Sequence, residues 1–268
     1  MNTKFGFIGA GNMGGALARA AAKAMAPENI TLADQMTEKA EALAASLGCH
    51  TATTEAVAES CGFIFLGVKP QVMGAMLRSI APVLAARTQD FVLVSMAAGV
   101  CIDDIRKMAG DHYPVIRIMP NIPASVGGGT ILFDSTENVS QEAIATFRNA
   151  LAHAGLVDHL PEKLIDAGSA LSGCGPAFVS LFVEALADGA VACGLPRDKA
   201  LAYAAQTVAG TAKMLVETGM HPAVLKDAVC SPGGTTIMGV NALEMGGFRG
   251  CTMDAVMSAY QKTLELGK

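Results

Sequence analysis

The sequence predicts an α/β protein: a doubly wound, mostly parallel sheet covered by helices, followed by an all-helical half. Three observations carry this. Apolar runs of strand length alternate with helical patterns through the first 155 or so residues. No convincing strand follows residues 155–161. Of 268 residues, 51% are hydrophobic and 16% charged, which supplies a large core and is the reverse of a disordered composition. The expected division is a sheet domain over residues 1–160 and a helical domain over 161–268.

Residues 4–8 are the first strand candidate, and an alanine-rich helix follows over 13–25. Residues 30–33 read as the second strand and 37–47 as the next helix. The runs 63–68, 91–95, 115–119 and 130–133 are apolar and of strand length. Between them, 71–84 and 102–108 have helical character. Beyond residue 161, Pro176 sits where a first helical position is expected. Phe178, Leu181, Phe182, Ala185, Leu186 and Cys193 then follow a 3.6-residue period, and Gly194 is placed to stop the helix. Pro196 opens a second long helix that Gly219 ends. Shorter helices are expected at 222–229, 236–245 and 252–266.

The composition also excludes classes of function. Mean hydropathy is +0.41, yet the longest uncharged stretch, residues 167–183, is interrupted by Gly168, Ser169, Ser172, Gly173, Gly175 and Pro176 and makes a poor spanning helix. A membrane-embedded protein is not expected. A net charge of −5 argues against nucleic acid or an anionic membrane as partner. The seven cysteines are scattered with no C-x-x-C pair, which suits free thiols and no zinc site. The chain starts directly on a strand pattern, so a cytoplasmic location is expected. Aromatics are 5% with no Trp, and a chain this rich in small apolar residues tends to bury further surface against another subunit.

The strongest local motif is Gly9-Ala10-Gly11-Asn12-Met13-Gly14, between an apolar strand and a helix. That context is what a dinucleotide-binding fingerprint of the Rossmann type requires. Gly9 allows the tight turn, Gly11 a close approach of pyrophosphate, and Gly14 close helix–strand packing. The helix N-terminus offers free N–H groups to the phosphates. Asp34, twenty residues beyond Gly14, is placed to accept from ribose hydroxyls, which favours NADH, or else to cap the following helix. Lys39 could reach back toward a phosphate from that helix.

The ends of later strands are the other ligand positions of such a sheet. They carry Val68-Lys69-Pro70, the small residues Ala97-Ala98-Gly99, and Met119-Pro120-Asn121. Lys69 reads equally as a cofactor contact or a strand-end cap. Small residues leave room for a flat nicotinamide ring, and Asn121 could bond its carboxamide, unless the two-proline segment is only a rigid turn. In the helical half, Ser231-Pro232-Gly233-Gly234-Thr235-Thr236 links two helices. Consecutive N–H groups there suit a small carboxylate, although a plain helix–turn–helix link has the same appearance.

Residues 6–14, 68–70, 119–123, the Ser-Gly-Cys-Gly-Pro-Ala-Phe run at 172–178 and residues 225–236 occur in this order. Together they resemble the Δ1-pyrroline-5-carboxylate reductases over nearly the whole chain, most specifically in residues 222–244. The resemblance implies a Rossmann domain using NAD(P)H and a helical domain that interlocks with a second copy as a homodimer, with larger assemblies of dimers in some members. It implies that the loop with Ser231, Gly233, Gly234 and Thr235 holds the substrate carboxylate. It implies that the hydroxyl of Thr236, the catalytic candidate, contacts the ring nitrogen. Many members prefer NADPH and carry small polar or basic residues after the second strand; Ala33-Asp34-Gln35 lacks that character.

Hydride transfer to a cyclic imine can draw its proton from solvent, so no dedicated acid is required, and none of the five histidines is an obvious one. The competing enzyme reading, a hydroxyacid dehydrogenase, expects a catalytic Lys on the helix at 176–193, and that helix has none. A non-catalytic dinucleotide sensor would have lost the residue 231–236 loop, which is intact.

Overall fold

The computed structural model describes residues 2–110 and 112–266. The chain divides into two compact units, one of Met1–Gly173 with Tyr260–Lys268 and one of Cys174–Ala259.

The first unit opens with strand β1 (Phe5–Ile8), helix α1 (Asn12–Ala24), β2 (Ile30–Ala33), α2 (Thr37–Leu47), the short β3 (His50–Thr51) and α3 (Thr54–Ser60). It continues with β4 (Phe63–Leu66), α4 (Pro70–Ala86), β5 (Val92–Ser95), α5 (Ile102–Ala109) and β6 (Val115–Met119). Then come β7 (Gly129–Ser135), α6 (Gln141–Leu151), β8 (Gly155–His159) and α7 (Glu162–Ser172). Among the described residues the strands form one sheet in the order β3-β2-β1-β4-β5-β6-β7-β8. Every pairing is parallel except β6 with β7.

Alternation of side chains across the sheet sorts the core into two layers. On one face Phe5, Phe7, Phe63 and Phe65 pack with Leu17, Leu43 and Phe147, beneath α1, α2 and α6. The parallel register sets Phe5 beside Phe63 and Phe7 beside Phe65, with ring centroids 4.5 and 4.4 Å apart. Each buried ring contributes about 1.5–3 kcal/mol. On the other face Ile8, Ile64, Leu66 and Leu93 pack with Val57, Leu77, Ile80 and Ile105 from α3, α4 and α5.

Several elements go beyond the sequence expectation. Helices α3 and α6 are short, and each is started by a hydroxyl: Thr53 accepts from the Ala56 N–H and Ser140 from the Ala143 N–H. Strand β8 lies in the segment expected to separate the domains, because it pairs with β7 at the sheet edge. Helix α7 follows, and the compact unit extends through it to Gly173. Ile165 of α7 is fully buried against Met119, Leu132 and Leu160. Arg117, in the centre of β6 and 3% exposed, reaches Glu162 Oε1 and Asp166 Oδ1 on α7, both at 3.1 Å. Glu162 Oε1 also accepts from the Ile102 N–H at the start of α5 (2.7 Å).

The second unit consists of α8 (Gly175–Ala192), α9 (Arg197–Thr218), α10 (Pro222–Val229), α11 (Thr235–Met245) and the greater part of α12 (Phe248–Leu266). Its own core is small: Ala187, Ala200 and Ala204 are buried, with Val183, Ala190, Val191 and Leu195 packed around them. The periodic apolar face expected on α8 is therefore not covered within one chain, and Leu181 is 68% exposed. Val216 and Met245 are 84% and 82% exposed. The stretch Glu162–Ala192 is long and apolar enough by composition to cross a membrane, with 11% of its most apolar window buried. It is two helices, however, interrupted at Gly173 and Cys174, and it carries Glu162, Lys163, Asp166, Glu184 and Asp188.

The Arg117 cluster yields a stability prediction. Removing the guanidinium in Arg117→Met leaves two carboxylates without their common partner in a half-buried setting. Breaking a buried pair this way costs about 3–5 kcal/mol. The carboxylates keep 29% and 34% side-chain exposure, so the lower end applies. At roughly 2–4 °C per kcal/mol, Tm should fall by roughly 6–12 °C. Arg117→Lys should recover only part of this, because an ammonium cannot fork to both acids. A Met variant that melts with the parent would show that the cluster adds nothing to stability.

Candidate active site

The end of β1 and the start of α1 are held together by glycines for distinct reasons. Gly9 has φ +107°, and a Cβ there would lie 2.5 Å from the Gly67 carbonyl oxygen. A Cβ on Gly14 would lie 2.0 Å from the Gly9 carbonyl oxygen, so only glycine lets α1 come this close to the strand. Gly11 is different: nothing stands within 4 Å of where its Cβ would be. It is the N-cap of α1, no side chain caps that helix, and no acidic residue occupies its first turn. The Asn12, Met13 and Gly14 amides thus meet the positive end of the helix beside an open approach, and a pyrophosphate fits there.

Asp34, just past β2, is drawn into this loop. Its Oδ2 accepts from the Ala10 N–H (2.7 Å) and its Oδ1 from the Met36 N–H (2.8 Å). The carboxylate thus ties the glycine loop to the β2 exit. It does not cap α2, whose N-cap is Met36. Beside the loop is a cleft of about 530 Å³ with Ala10, Gly11, Asn12, Arg19, Lys39 and Ser46 in its walls. Arg19 donates to Ser46 Oγ at 3.4 Å. Sequence reasoning missed Arg19 and Ser46. Asn12, Ala16 and Arg19 share one face of α1, so helical spacing carried the signal.

Because β1, β4, β5 and β6 run parallel, their C-terminal ends meet along one edge. Val68 is half-buried there, and Lys69 is the exposed N-cap of α4, whose first residue is Pro70. Ser95, the last residue of β5, is fully buried and its Oγ accepts from the Ala97 N–H at 3.4 Å. Ala97 is buried while Ala98 and Gly99 are exposed, and Gly99 turns the chain at φ +72°. Met119 and Pro120 are buried at the end of β6. Asn121, 8% exposed, has its amide in use: Oδ1 accepts from the Thr130 N–H and Nδ2 donates to the Ser172 carbonyl, both at 2.8 Å. Burial pushes the Cys101 thiol up, as it does Cys49 and Cys61 elsewhere in the unit.

In the second unit, α10 and α11 are joined by a tight turn in which the Gly234 N–H donates to the Ser231 carbonyl (3.0 Å). Gly233 sits at φ +67°, and a Cβ on Gly234 would lie 2.3 Å from Ser231 Oγ. Gly234 is the N-cap of α11, with no side-chain cap bond. Thr235 and Thr236 are the first two helical residues, both exposed. Thr236 is therefore not the cap of its helix. His221, in contrast, does cap α10, its Nδ1 accepting from the Ala223 N–H at 3.2 Å. The turn presents uncapped amides and two hydroxyls without a fixed charge, which suits a small carboxylate and a neighbouring hydrogen-bonding group.

The glycines separate folding from binding. Gly11→Ala should leave Tm within about 2 °C of the parent, since the added methyl meets open space, yet weaken dinucleotide binding at least tenfold, about 1.4 kcal/mol. Gly14→Ala should lower Tm sharply, because α1 must move off the Gly9 carbonyl. Thermal melts and fluorescence titration with NADPH on both variants test this. Equal dinucleotide affinity in Gly11→Ala and the parent would place the pyrophosphate elsewhere.

Comparison with known proteins adds to this geometry. Residues 162–266 match the family model described as pyrroline-5-carboxylate reductase dimerisation. Residues 4–99 match one described as NADP oxidoreductase coenzyme F420-dependent. The dimerisation match spans the helices whose apolar side chains are exposed, and points to a homo-oligomer. A pyrroline-5-carboxylate reductase of Methanosarcina acetivorans is 41% identical over 270 residues, covering 100% of this chain and 99% of that protein. The solved structure of the pyrroline-5-carboxylate reductase from Coxiella burnetii superimposes with a TM-score of 0.93 at 30% identity, covering 100% of both chains. That of Plasmodium falciparum pyrroline carboxylate reductase with NADP bound gives 0.85 at 32% identity, over 99% of this chain and 98% of the other. Likeness of this degree along the whole length, through both the glycine loop and the α10–α11 turn, means that the chain belongs to the pyrroline-5-carboxylate reductase family.

Proposed function

We propose that this chain reduces 1-pyrroline-5-carboxylate to L-proline with NAD(P)H, the last step of proline biosynthesis. The observation that carries the reading is the full-length likeness to reductases of that name. Supporting it, α11 opens on uncapped amides and two exposed hydroxyls. The dihydronicotinamide supplies the hydride when bound. The chain's own contribution is placement and charge. The α1 amides hold the pyrophosphate, and Ala97, Ala98 and Gly99 leave space at the β5 end. Ser231, Gly233, Gly234 and Thr235 hold the substrate carboxylate through the turn's N–H groups, and the Thr236 hydroxyl orients the imine nitrogen. The imine carbon gains the hydride and the nitrogen a proton from solvent, so the protein needs no general acid.

We read residues 1–160 as the cofactor domain and 161–268 as the substrate-binding and dimerisation domain of a cytoplasmic homodimer, able to build larger assemblies from dimers. Oxidation of NAD(P)H at 340 nm with pyrroline-5-carboxylate is the direct test. Dinucleotide binding without turnover would overturn the reading in favour of a sensor.

Two variants probe the site. Thr236→Ala removes one hydroxyl and keeps the turn's amides. A hydrogen bond to a charged iminium is worth roughly 1.5–3 kcal/mol, so kcat/KM should fall roughly ten- to hundredfold, with Thr236→Ser retaining most activity. Unchanged kcat/KM would remove Thr236 from the site. Asp34 keeps lone pairs for ribose hydroxyls beyond its two amide bonds, so NADH should rival NADPH in the parent. Asp34→Ser should shift the kcat/KM ratio toward NADPH while weakening both, since the Ala10 tie is lost. A parent preference for NADPH of tenfold or more, about 1.4 kcal/mol, contradicts this.

A further inference from the structure

We propose that Asn121 is a positioning residue for hydride transfer, acting by clamping the cofactor edge of β6 to the last turn of α7; this rests on the reaction proposed above. Asn121 lies two residues past the end of β6, between Pro120 and Ile122-Pro123. Its amide is spent on two backbone partners from different elements. The Thr130 N–H belongs to β7, and the Ser172 carbonyl is on the final residue of α7.

The second bond has consequences for geometry. Ser172 is the final residue of α7, so this bond holds the C-terminal end of that helix. Four residues earlier, within β6, Arg117 holds the first two turns of α7 through Glu162 and Asp166. Helix α7 is thus fastened to β6 at both ends, by a charged fork at its start and a neutral amide at its finish. Ile165 is buried beneath the start and Ala170 beneath the last turn, so packing seats the helix and the side-chain bonds fix its register. At the finish, α7 has an αR residue, Gly173, as its C-cap, and the Ser172 side-chain oxygen is buried without a partner. Asn121 supplies the side-chain bond there. The β6 edge, where the nicotinamide half of the cofactor belongs, is therefore tied to β7 and to the last turn of α7 by one buried amide. Hydride transfer is steeply sensitive to the separation of donor and acceptor carbons, so play at this cofactor edge lowers the chemical step before it lowers binding.

The test uses three variants of the full-length protein. Asn121→Asp keeps an acceptor for Thr130 but sets a carboxylate against the Ser172 carbonyl; Asn121→Ala loses both bonds. Ser172→Ala keeps the carbonyl that Asn121 grips and removes only the unpartnered hydroxyl, so it serves as the control. Steady-state kinetics, NADPH fluorescence titration and hydrogen exchange followed by mass spectrometry are measured on each. The expected result is faster exchange over residues 166–175 in both Asn121 variants. Their kcat should fall about tenfold or more, with KM for the imine and Kd for NADPH within about twofold of the parent, and a larger isotope effect from 4-deuterated cofactor. Ser172→Ala should match the parent throughout. Faster exchange with parent-like kcat would make the clamp purely structural and overturn the proposal. Weaker NADPH binding with unchanged kcat would also overturn it, by making Asn121 a cofactor ligand. A parent that does not turn over pyrroline-5-carboxylate fails the reaction itself, an outcome separate from either of these.

Discussion

The close approach of three backbone segments at the end of β1 is the constraint on which the rest of the cofactor unit depends. Gly9, Gly14 and Gly67 meet with no room for a side chain: a Cβ on Gly67 would stand 2.9 Å from the Gly9 carbonyl oxygen, and one on Gly14 nearer still. That contact aims the N-terminus of α1 along the edge where the parallel strands end. Asp34 then ties the same loop to β2 through the Ala10 N–H. The anion-binding end of the helix is thus built from absent side chains and one carboxylate, and its field is available to a ligand because no residue caps it.

Strand β6 holds a second set of constraints. A buried arginine in mid-strand is tolerated because Glu162 and Asp166 reach it from α7. Asn121 sits just beyond the strand. The sheet, in this way, extends its order into a helix that sequence patterning alone associates with the helical half. Family matching also starts the dimerisation segment at residue 162, while packing places α7 with the sheet. The two boundaries answer different questions. One follows which residues recur together, the other which atoms touch.

The helical unit shows the opposite economy. It buries alanines and leaves large apolar side chains such as Leu181, Val216 and Met245 exposed. Small residues bring α8 and α9 close but remove little apolar area from water. A homo-oligomer is the physical complement to such a surface, and the dimerisation module that these helices match is in keeping with it.

Much of this was legible in the sequence because it depends on local rules. Strand–helix alternation, the glycine loop ahead of α1, the turn before Thr235 and the stops at Gly194 and Gly219 are short-range patterns that backbone sterics make readable. The short helices α3 and α6 were not, since a single hydroxyl cap is a weak signal without knowledge of what the helix covers. Strand β8 was hidden for a related reason: its strand character comes from pairing with β7, which no local pattern encodes. The site divides the same way. Gly9 and Gly14 could be read from residue type, because each stands where a Cβ would strike backbone. Asn121 and Asp34 could not. Both were identified as polar groups at strand ends, but only the tertiary fold decides which backbone amides and carbonyls come within 2.8 Å of them, and hydrogen-bond partners 24 or 51 residues away are set by packing rather than by spacing.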